Sequence, residues 1–344
     1  MSRYSKQSNL PEIGLVGQKT IEASSVLCVG AGGLGSPILS YLLAAGVGRI
    51  GIVDGDVVEL SNLQRQVLFQ ESDIGSLKVE AVKKNLERLN SKTVIEGFPV
   101  MLAAENVEQI FSSYDVIVDG TDNFTAKYLI NDAAVKLKKP VIFGSVTGFE
   151  GQVSVFDSAR GGPCYRCLYP LAPESTVPNC AEAGVIGSVV GMIGSMQATE
   201  CLKYIISGAG IHPLLGRLLT LDARDMSIFT ANIGKKSDCP VCSIPRDRIV
   251  FESSIVEIEH DEILRNPSDY LLIDVREQDE WDAGFISGAV HFPLSMMKSS
   301  LKSFPKVDLK KKIVTYCKSG VRSKEAIRIL EKNGFLKVLS LIHK

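Results

Sequence analysis

The sequence predicts an α/β protein with a doubly wound, mostly parallel sheet, followed by a smaller α/β domain. From residue 26 onward, apolar runs of strand length alternate with helical segments. Such alternation is typical of parallel sheets that helices cover on both faces. Two more apolar runs follow a Cys- and Pro-rich loop at 237–248, which we interpret as the boundary between domains. A chain of 344 residues is long enough for two domains.

Five strands and the helices between them make up the first predicted sheet. The strands are expected at 26–32, 49–56, 93–100, 115–122 and 140–146. The helices are expected at 36–47, 78–90, 105–112 and 124–138. The segment GQVSVFD at 151–157 alternates apolar and polar residues, which favours an antiparallel strand.

A second set of buried strands indicates the smaller domain. These strands are predicted at 270–275 and 312–317, with helices between and after them. We therefore divide the chain into a first domain at 1–242, a linker at 243–254 and a second domain at 255–344.

Charge and composition exclude some classes of partner. Lys and Arg number 38 and Asp and Glu 39, so the net charge is -1. This charge produces no field that would attract nucleic acid or an anionic membrane, and we expect neither as a partner. Any anion must be bound by local groups.

The segment 185–206 is apolar enough to raise the question of a membrane span. Ser188, Gln197, Glu200 and Lys203 interrupt it, so we expect a buried Gly-rich helix instead. The N-terminus has no apolar signal segment, which favours a cytoplasmic location. There, the eight cysteines are expected as metal ligands, nucleophiles or core residues rather than disulfides.

A glycine motif predicts a nucleotide site of the Rossmann-like kind. Gly30, Gly32 and Gly35 form GxGxxG between a predicted strand and a helix. Glycines allow a tight turn close to a phosphate, and the helix start supplies free N–H groups. Asp54 ends the next strand, where a carboxylate can bind a ribose hydroxyl. This motif alone also fits a nicotinamide-dependent oxidoreductase.

Polar residues after the strands favour a triphosphate over a dinucleotide. Asn62, Gln64 and Arg65 follow the second strand, and Lys78 begins the next helix. A triphosphate requires such cations around it. Asp122 ends another strand and is a candidate ligand for Mg²⁺. Arg3 or Lys6, near the start of the chain, would add a further cation. For any one of these residues taken alone, the alternative to a ligand-binding role is that it is a solvated charge on the surface.

Two Cys-x₂-Cys pairs predict a zinc site. Cys164 and Cys167 form one pair, and Cys239 and Cys242 form the other. Four thiolates complete a tetrahedral shell and leave no open position, so the zinc would be structural. A redox role for one pair is the alternative, although neither pair begins a helix after a strand.

Two other cysteines are candidate nucleophiles. Cys317 ends a predicted strand, and a six-residue loop to Arg322 leads into a helix. Backbone N–H groups at a helix start would stabilise a thiolate or a persulfide anion there. Cys180 lies in a Pro- and Asn-rich loop, where a thiol can meet an activated acyl group. The alternative is burial for packing, which we expect of Cys28 and Cys201.

The first domain resembles a known family in the order and spacing of its motifs. These motifs are VGAGGLGS (29–36), SNLQRQ (61–66), DGTDN (119–123), EGQVSVF (150–156) and CAEAGV (180–185). Over about residues 3–242 the chain is similar to the MoeB/ThiF group of ubiquitin-activating-enzyme-like adenylyltransferases. The resemblance implies ATP, Mg²⁺ and a structural zinc. It also implies a substrate: a ubiquitin-like sulfur-carrier protein that ends in Gly-Gly.

The same resemblance implies which residues serve the nucleotide. Those residues are Gly30, Gly32, Gly33, Gly35, Asp54, Asp56, Asn62, Arg65, Lys78 and Asp122. The N-terminal arm departs from the family pattern Arg-Tyr-x-Arg-Gln, because Lys6 replaces the second arginine. Lysine keeps the charge but not the bidentate fork. In the family this arm often reaches across a dimer, so the resemblance implies a homodimer.

The second domain resembles a rhodanese sulfurtransferase over about residues 255–341. The segment IDVREQDEWDAGFISGAVHFPL at 273–294 and the Cys317 loop carry the resemblance. It implies that Cys317 carries a persulfide, that the loop through Arg322 cradles it and that a persulfide donor is a partner. Where rhodanese domains continue with a closing helix, this sequence ends in LKVLSLIHK. We therefore expect uncovered apolar sheet surface.

Together these patterns predict an enzyme that adenylates the C-terminal glycine of a sulfur carrier and transfers sulfur to it as a thiocarboxylate. An NAD-dependent oxidoreductase and a carrier-binding scaffold with an inactive sulfur domain are the alternatives. The pathway stays open, because molybdopterin, thiamin, cysteine and tRNA thiolation all use this activation chemistry.

Overall fold

The computed structural model describes residues 3–171, 184–208, 210–249, 251, 256–302, 304–305, 311–318, 320–335 and 338–341. The chain divides into two compact units, Met1–Phe251 and Glu252–Lys344. Each unit is built around one β-sheet.

The first unit contains an eight-stranded sheet. Its strands are β1 Ser25–Val29, β2 Arg49–Val53, β3 Val94–Phe98, β4 Val116–Asp119, β5 Val141–Thr147, β6 Glu150–Phe156, β7 Arg217–Asp222 and β8 Ser227–Asn232. They lie in the order β3-β2-β1-β4-β5-β6-β7-β8. Strands β1 to β5 pair in parallel, and β6 to β8 continue the sheet in antiparallel pairing.

Helices cover both faces of this sheet. They are α1 Ser5–Ser8, α2 Gly14–Ala23, α3 Gly35–Ala45, α4 Lys78–Leu89, α5 Val107–Ser112, α6 Phe124–Leu137, α7 Tyr165–Leu168 and α8 Gly187–Ile206. One core packs around Ile38 and Ile193, and the other around Phe111 and Ile130. All five residues of β1 are buried, as expected for a strand covered on both sides. The predicted Rossmann-like, doubly wound sheet is confirmed.

The antiparallel part of the sheet was predicted only in part. Strand β6 pairs antiparallel with β5 and β7, as the alternation at 151–157 predicts. Strands β7 and β8 and helix α2 were not predicted. Five of the six residues of β8 are exposed, and Ala231 is partly exposed. Such a strand lacks the apolar and polar alternation that marks one buried face.

Helix α8 is the Gly-rich helix predicted at 185–206. Its apolar residues Val190 and Ile193 lie in the core, and its polar residues Gln197 and Glu200 are also buried. In the part of the chain that the structure describes, no helix combines the length and the apolarity needed to cross a bilayer.

The second unit contains a smaller, five-stranded parallel sheet. Its strands are β9 Val256–Ile258, β10 Tyr270–Asp274, β11 Val290–His291, β12 Lys312–Tyr316 and β13 Val338–Leu341, in the order β11-β10-β12-β13-β9. Its helices are α9 His260–Arg265, α10 Gln278–Asp282, α11 Leu294–Ser299 and α12 Val321–Lys332. The predicted second α/β domain is confirmed.

The apolar residues near the end of the chain belong to this sheet. Strand β13 lies between β12 and β9, and all four of its residues are buried. The structure therefore covers these four residues, although the sequence led us to expect uncovered apolar surface at this end of the domain.

Candidate functional site

The glycine turn lies between β1 and α3, next to the end of β4. In the sheet order, β1 and β4 are neighbours whose connections run in opposite directions. Ligands of open α/β sheets bind at such a switch point, beyond the carboxyl ends of the strands. The predicted site residues after β1, β2 and β4 therefore come to one edge of the sheet.

The turn itself is too tight for side chains. Gly30 has a φ of +93°, a conformation that glycine adopts without strain. A Cβ on Gly33 would lie 2.8 Å from Cγ1 of Val190, and one on Gly35 would lie 2.2 Å from the Gly30 carbonyl oxygen. Without side chains, the backbone at the start of α3 is open to a phosphate group.

Asp54 holds the turn from the end of β2. Its Oδ2 accepts a hydrogen bond from the Ala31 N–H at 2.8 Å, and its Oδ1 accepts one from the Asp56 N–H at 2.9 Å. Burial raises the pKa of the Asp54 carboxyl, while Lys78 and these two hydrogen bonds act in the opposite direction. Each oxygen keeps a second lone pair for a ligand hydroxyl.

Lys78 is buried at the start of α4 and is tied to Asp56. Its Nζ lies 2.8 Å from Oδ2 of Asp56, and its backbone N–H donates to the Asp56 carbonyl at 2.9 Å. The Lys78 side chain is 9% exposed, whereas that of Asp56 is 59% exposed. The ion pair thus links the buried ammonium group of Lys78 to the exposed carboxylate of Asp56, and both groups lie at the same edge of the sheet as the glycine turn.

The SNLQRQ segment lies against the glycine turn. The Arg65 side chain passes beside Gly33, and its Nη1 donates to the Ser61 carbonyl at 3.0 Å. Asn62 is buried and accepts a hydrogen bond from the Glu59 N–H at 3.1 Å. Asn62 therefore shapes the loop, and Arg65 is the cation beside the turn.

Gln66 is a residue that the sequence analysis missed. It is 4% exposed, its amide lies beside Gly32, and its Oε1 has no hydrogen-bond partner among the described residues. A buried amide oxygen without a partner is costly unless a ligand or water satisfies it. The neighbouring Gln64, which the sequence analysis chose, is exposed.

Asp122 follows β4 on the other side of the turn. A Cβ on Gly120 would lie 2.9 Å from the Gly30 carbonyl oxygen, so this loop touches the glycine turn. Asp122 is exposed, and its carboxylate pairs with no residue within the described ranges. It is therefore available to a ligand or a metal ion.

The N-terminal arm lies at the opposite edge of the sheet. Arg3 donates from Nη1 to the Leu89 carbonyl at 2.9 Å, and Gln7 donates to the Ala45 carbonyl at 3.1 Å. Both carbonyls belong to the C-terminal ends of helices. Because α3 has 11 residues, the Ala45 carbonyl lies about 16 Å from the turn at the start of that helix. Arg3 and the exposed Lys6 are thus not brought to the turn of their own chain.

The four predicted zinc ligands form one cluster. Their Sγ atoms all lie within 4.8 Å of one another. Cys164 and Cys239 are separated by 3.5 Å, Cys167 and Cys242 by 3.5 Å, and Cys164 and Cys167 by 4.0 Å. Zn–S bonds of about 2.3 Å in a tetrahedron give sulfur separations of about 3.8 Å. The cluster can hold zinc, and no thiolate position would remain open to substrate.

The cysteine cluster is fixed to the sheet through α6. The Tyr165 N–H donates to Oδ1 of Asn131 at 2.7 Å. Arg166 forms a bidentate pair with Asp132, with Nε donating to Oδ1 at 2.8 Å and Nη2 to Oδ2 at 2.7 Å. The hydroxyl of Tyr128 donates to the Leu171 carbonyl at 2.6 Å. The cluster therefore anchors the chain just before residues 172–183, and the predicted nucleophile Cys180 lies outside the described residues.

Cys317 lies in the loop between β12 and α12. It is 1% exposed, and Gly320 in the same loop has a φ of +80°. Arg322 donates from Nη2 to Glu280 at 2.8 Å. Glu280, and secondarily Cys317, raise the pKa of Arg322, while Arg322 lowers the pKa of Glu280 to about 2. Cys28 and Cys201 are buried in the first unit, as predicted.

The sheet order and the polar residues around the glycine turn define a nucleotide-binding α/β protein. The sequence matches the ThiF family over residues 4–241 and the rhodanese-like domain over residues 259–343. The chain therefore belongs to the ThiF family and carries a rhodanese-like domain.

Individual relatives agree with this assignment. A "Sulfur carrier protein adenylyltransferase" of Thermus thermophilus is 47% identical over 247 residues, which cover 70% of this chain and 90% of that protein. A "Probable adenylyltransferase/sulfurtransferase MoeZ" of Mycobacterium tuberculosis is 42% identical over 352 residues, which cover 97% of this chain and 89% of that protein. The prediction of an adenylyltransferase-class enzyme with a sulfurtransferase-type domain is confirmed at this level.

Solved structures share the fold of the first unit. E. coli MccB with ATP matches with a TM-score of 0.63 at 23% identity, over 71% of this chain and 75% of that chain. At this identity the similarity concerns the fold alone.

Proposed function

We propose that the first domain uses ATP to adenylate the C-terminal glycine of a ubiquitin-like sulfur-carrier protein. The observation that carries the proposal is the meeting of three loops at the β1/β4 switch point. The Arg65 side chain lies beside Gly33, with its Cγ 3.4 Å from the position that a Gly33 Cβ would occupy. Lys78 is paired with Asp56 at 2.8 Å, and the loop bearing Asp122 touches the glycine turn. Membership of the ThiF family and the name of the Thermus relative support the choice of reaction.

The reaction requires positioning and charge neutralisation more than acid–base chemistry. An oxygen of the glycine carboxylate attacks the α-phosphorus of ATP, and the bond to the β-phosphate oxygen breaks. An acyl-adenylate and pyrophosphate are the products. The carboxyl oxygen, now bonded to AMP, is a good leaving group for the next nucleophile.

The chain's own residues have distinct roles in this proposal. The N–H groups of the glycine turn and the side chains of Arg65 and Lys78 bind phosphate oxygens. Asp54 binds the ribose. Oε1 of Gln66, which has no hydrogen-bond partner among the described residues, accepts a hydrogen bond from the bound substrates or their water. Asp122 is the residue that would hold Mg²⁺, which supplies charge neutralisation on the phosphates.

We also propose that the protein is a homodimer in which the arm of one chain serves the other. Lys6 is exposed and lies at the edge opposite to its own glycine turn. A second copy would allow this cation to approach a triphosphate.

The four-cysteine cluster is proposed as a structural zinc site. It joins the segment after β6 to residues 239–242 at the end of the first domain.

The proposed domain division is a first domain at 1–242, a linker at 243–254 and a second domain at 255–344. The two family matches, 4–241 and 259–343, support it.

The second domain is proposed to deliver sulfur. A persulfide donor would transfer its terminal sulfur to the Cys317 thiolate and leave as a thiolate; thiosulfate, the donor in the test below, would transfer its outer sulfur in the same way and leave as sulfite. The Cys317 persulfide would then attack the acyl-adenylate and release AMP. Cleavage of the resulting acyl disulfide by a thiol, for which Cys180 remains the candidate, would release the thiocarboxylate and form a disulfide.

One experiment tests substrate and product together. The full chain is incubated with ATP, MgCl₂, thiosulfate and each candidate Gly-Gly carrier, and the intact mass of the carrier is measured. We expect a carrier that gains an adenylate, and then one that gains sulfur in place of oxygen. Asp122→Ala should abolish carrier-dependent ATP–pyrophosphate exchange. Absence of exchange with every carrier, or normal exchange in Asp122→Ala, would contradict the proposal.

A further inference from the structure

We propose that Lys127 is a positioning residue for adenylation, because it fixes the loop that presents Asp122 to the glycine turn. This inference rests on the proposed function, in which Asp122 holds the metal ion. Lys127 touches neither the glycine turn nor Asp122 through any described hydrogen bond, so its effect must pass through other residues.

Lys127 is a buried cation on the second turn of α6. Its side chain is 4% exposed. Its Nζ donates to Oδ2 of Asp119 at 2.9 Å, to the Thr121 carbonyl at 2.9 Å and to the Gly144 carbonyl at 2.8 Å. All three N–H groups of the ammonium are thus used. A buried charge persists only when it is paired and hydrogen-bonded in this way.

The pair of Lys127 and Asp119 holds Thr121 from both sides. The N–H and the hydroxyl of Thr121 donate to Oδ1 of Asp119 at 3.0 and 2.6 Å, while its carbonyl accepts from Lys127. Every polar group of Thr121 is therefore bound within this network. Asp122 is the next residue, so the network determines where its backbone lies.

The neighbouring residues are fixed as well. Gln197 of α8 donates to the Asp119 carbonyl at 2.7 Å, and Gly120 contacts the glycine turn. Asn123 caps α6 by accepting a hydrogen bond from the Ala126 N–H at 2.9 Å. Between these anchored residues, Asp122 alone has a carboxylate without a partner in the described structure. The backbone of the loop after β4 is therefore held in place by hydrogen bonds and contacts, and the side chain of Asp122 is left for the ligand.

This role differs from a purely structural one in what it predicts for the metal ion. A buried ion pair that only stabilises the sheet would change the melting temperature and leave the Mg²⁺ dependence of the folded enzyme unaltered. A positioning role predicts a higher Mg²⁺ requirement and a lower turnover, because a misplacement of about 1 Å in a catalytic group can cost roughly 100-fold.

The test compares variants of the full chain in carrier-dependent ATP–pyrophosphate exchange over a range of MgCl₂ concentrations, and in calorimetric titrations of ATP with and without MgCl₂ in the absence of carrier. Lys127→Met removes the three hydrogen bonds, and we expect exchange to fall by roughly 10- to 100-fold, with a higher half-saturating Mg²⁺ concentration. Lys127→Arg keeps a cation that can bind Asp119. We expect this variant to recover part of the exchange rate and part of the wild-type affinity for Mg²⁺. Lys136→Met is the matched control on the same helix, because Lys136 pairs with Glu108 nearer the surface, and it should behave as wild type.

A second variant covers the case in which Lys127→Met does not fold. In the double variant Asp119→Asn/Lys127→Met no buried charge is left unpaired, and we expect it to fold and to show the same increase in Mg²⁺ requirement. Unchanged Mg²⁺ dependence and rate in these variants, with Asp122→Ala inactive, would overturn this inference alone. Normal exchange in Asp122→Ala would overturn the metal assignment, and this inference with it.

Discussion

A Cβ atom on Gly35 would lie 2.2 Å from the carbonyl oxygen of Gly30. Two residues five positions apart thus close the turn by direct backbone contact. No side chain fits between them, and the turn that they close lies beside Arg65 and donates a hydrogen bond to Asp54 through the Ala31 N–H. The turn depends on this contact, which a substitution that adds one methyl group to Gly35 can test.

Gly35→Ala should destabilise the protein and weaken ATP binding at least tenfold. The added methyl group forces the Gly30 backbone to move, and overpacking of this kind typically costs about 1–3 kcal/mol. Calorimetric ATP titration and thermal unfolding measure the two effects. Gly191→Ala in α8 is the control, because no atom of the described residues outside its own stretch of helix lies within 4 Å of its Cβ position, and it should retain wild-type ATP binding. If Gly35→Ala matches this control in both measurements, the turn is not the phosphate site.

Loss of one ligand from the cysteine cluster should release zinc and destabilise the first unit. We expect about one zinc per chain in the wild type and clearly less in Cys239→Ser, because structural zinc requires all four ligands. Metal analysis and thermal unfolding are the measurements. Cys201→Ala, a change at a buried cysteine outside the cluster, should keep its zinc. A wild-type protein without zinc would contradict the assignment.

The pair of Glu280 and Arg322 should make the second unit less stable as the pH falls. Arg322 lowers the pKa of Glu280 to about 2 in the folded state, below the ordinary value of about 4.3. The stabilisation is therefore complete above the unfolded pKa and is lost as the pH falls from about 4.3 toward 2. The only tryptophan, Trp281, is adjacent to Glu280 and reports local unfolding by fluorescence.

Glu280→Gln should lower the free energy of unfolding at pH 7. The difference in this free energy between the variant and the wild type should become smaller below pH 4. Glu325→Gln is the matched control, since Glu325 pairs with Lys298 at 2.8 Å with both side chains largely exposed. Exposed pairs of this kind contribute about 0–1 kcal/mol. A difference between Glu280→Gln and wild type that does not depend on pH would rule out the ion pair as its cause.

Two inactive chains should restore activity when they form a mixed dimer. If Lys6 serves the partner's turn, coexpressed Lys6→Ala and Asp122→Ala chains contain one site with both residues intact. We expect adenylation in the isolated mixed dimer and little in either parent. Arg65→Ala with Asp122→Ala is the control, because both residues are proposed to serve the site of their own chain, so the mixed dimer contains no intact site. Equal activity of the two mixtures would disprove an arm that acts across the dimer.

The chemistry of this chain was evident in local patterns of its sequence. Strand and helix alternation predicted the parallel half of the sheet, because strands buried on both faces must be apolar throughout. The spacing of Gly30, Gly32 and Gly35 predicted the turn, and the two Cys-x₂-Cys pairs predicted a cluster that the structure confirms. Each apolar run, the glycine motif and each Cys-x₂-Cys pair is a signal contained in a short segment, where covalent geometry limits the conformations.

Contacts between distant segments were decided only by the tertiary structure. It brought the buried amide of Gln66, whose oxygen has no partner in the described part of the chain, to Gly32. It also placed Arg3 on Leu89 at the far edge of the sheet. It also buried Lys127 among Asp119, Thr121 and Gly144, although a lysine on a helix usually faces solvent. The sequence contains the residue types, but which of them meet depends on how strands pack side by side, and no local pattern encodes that arrangement.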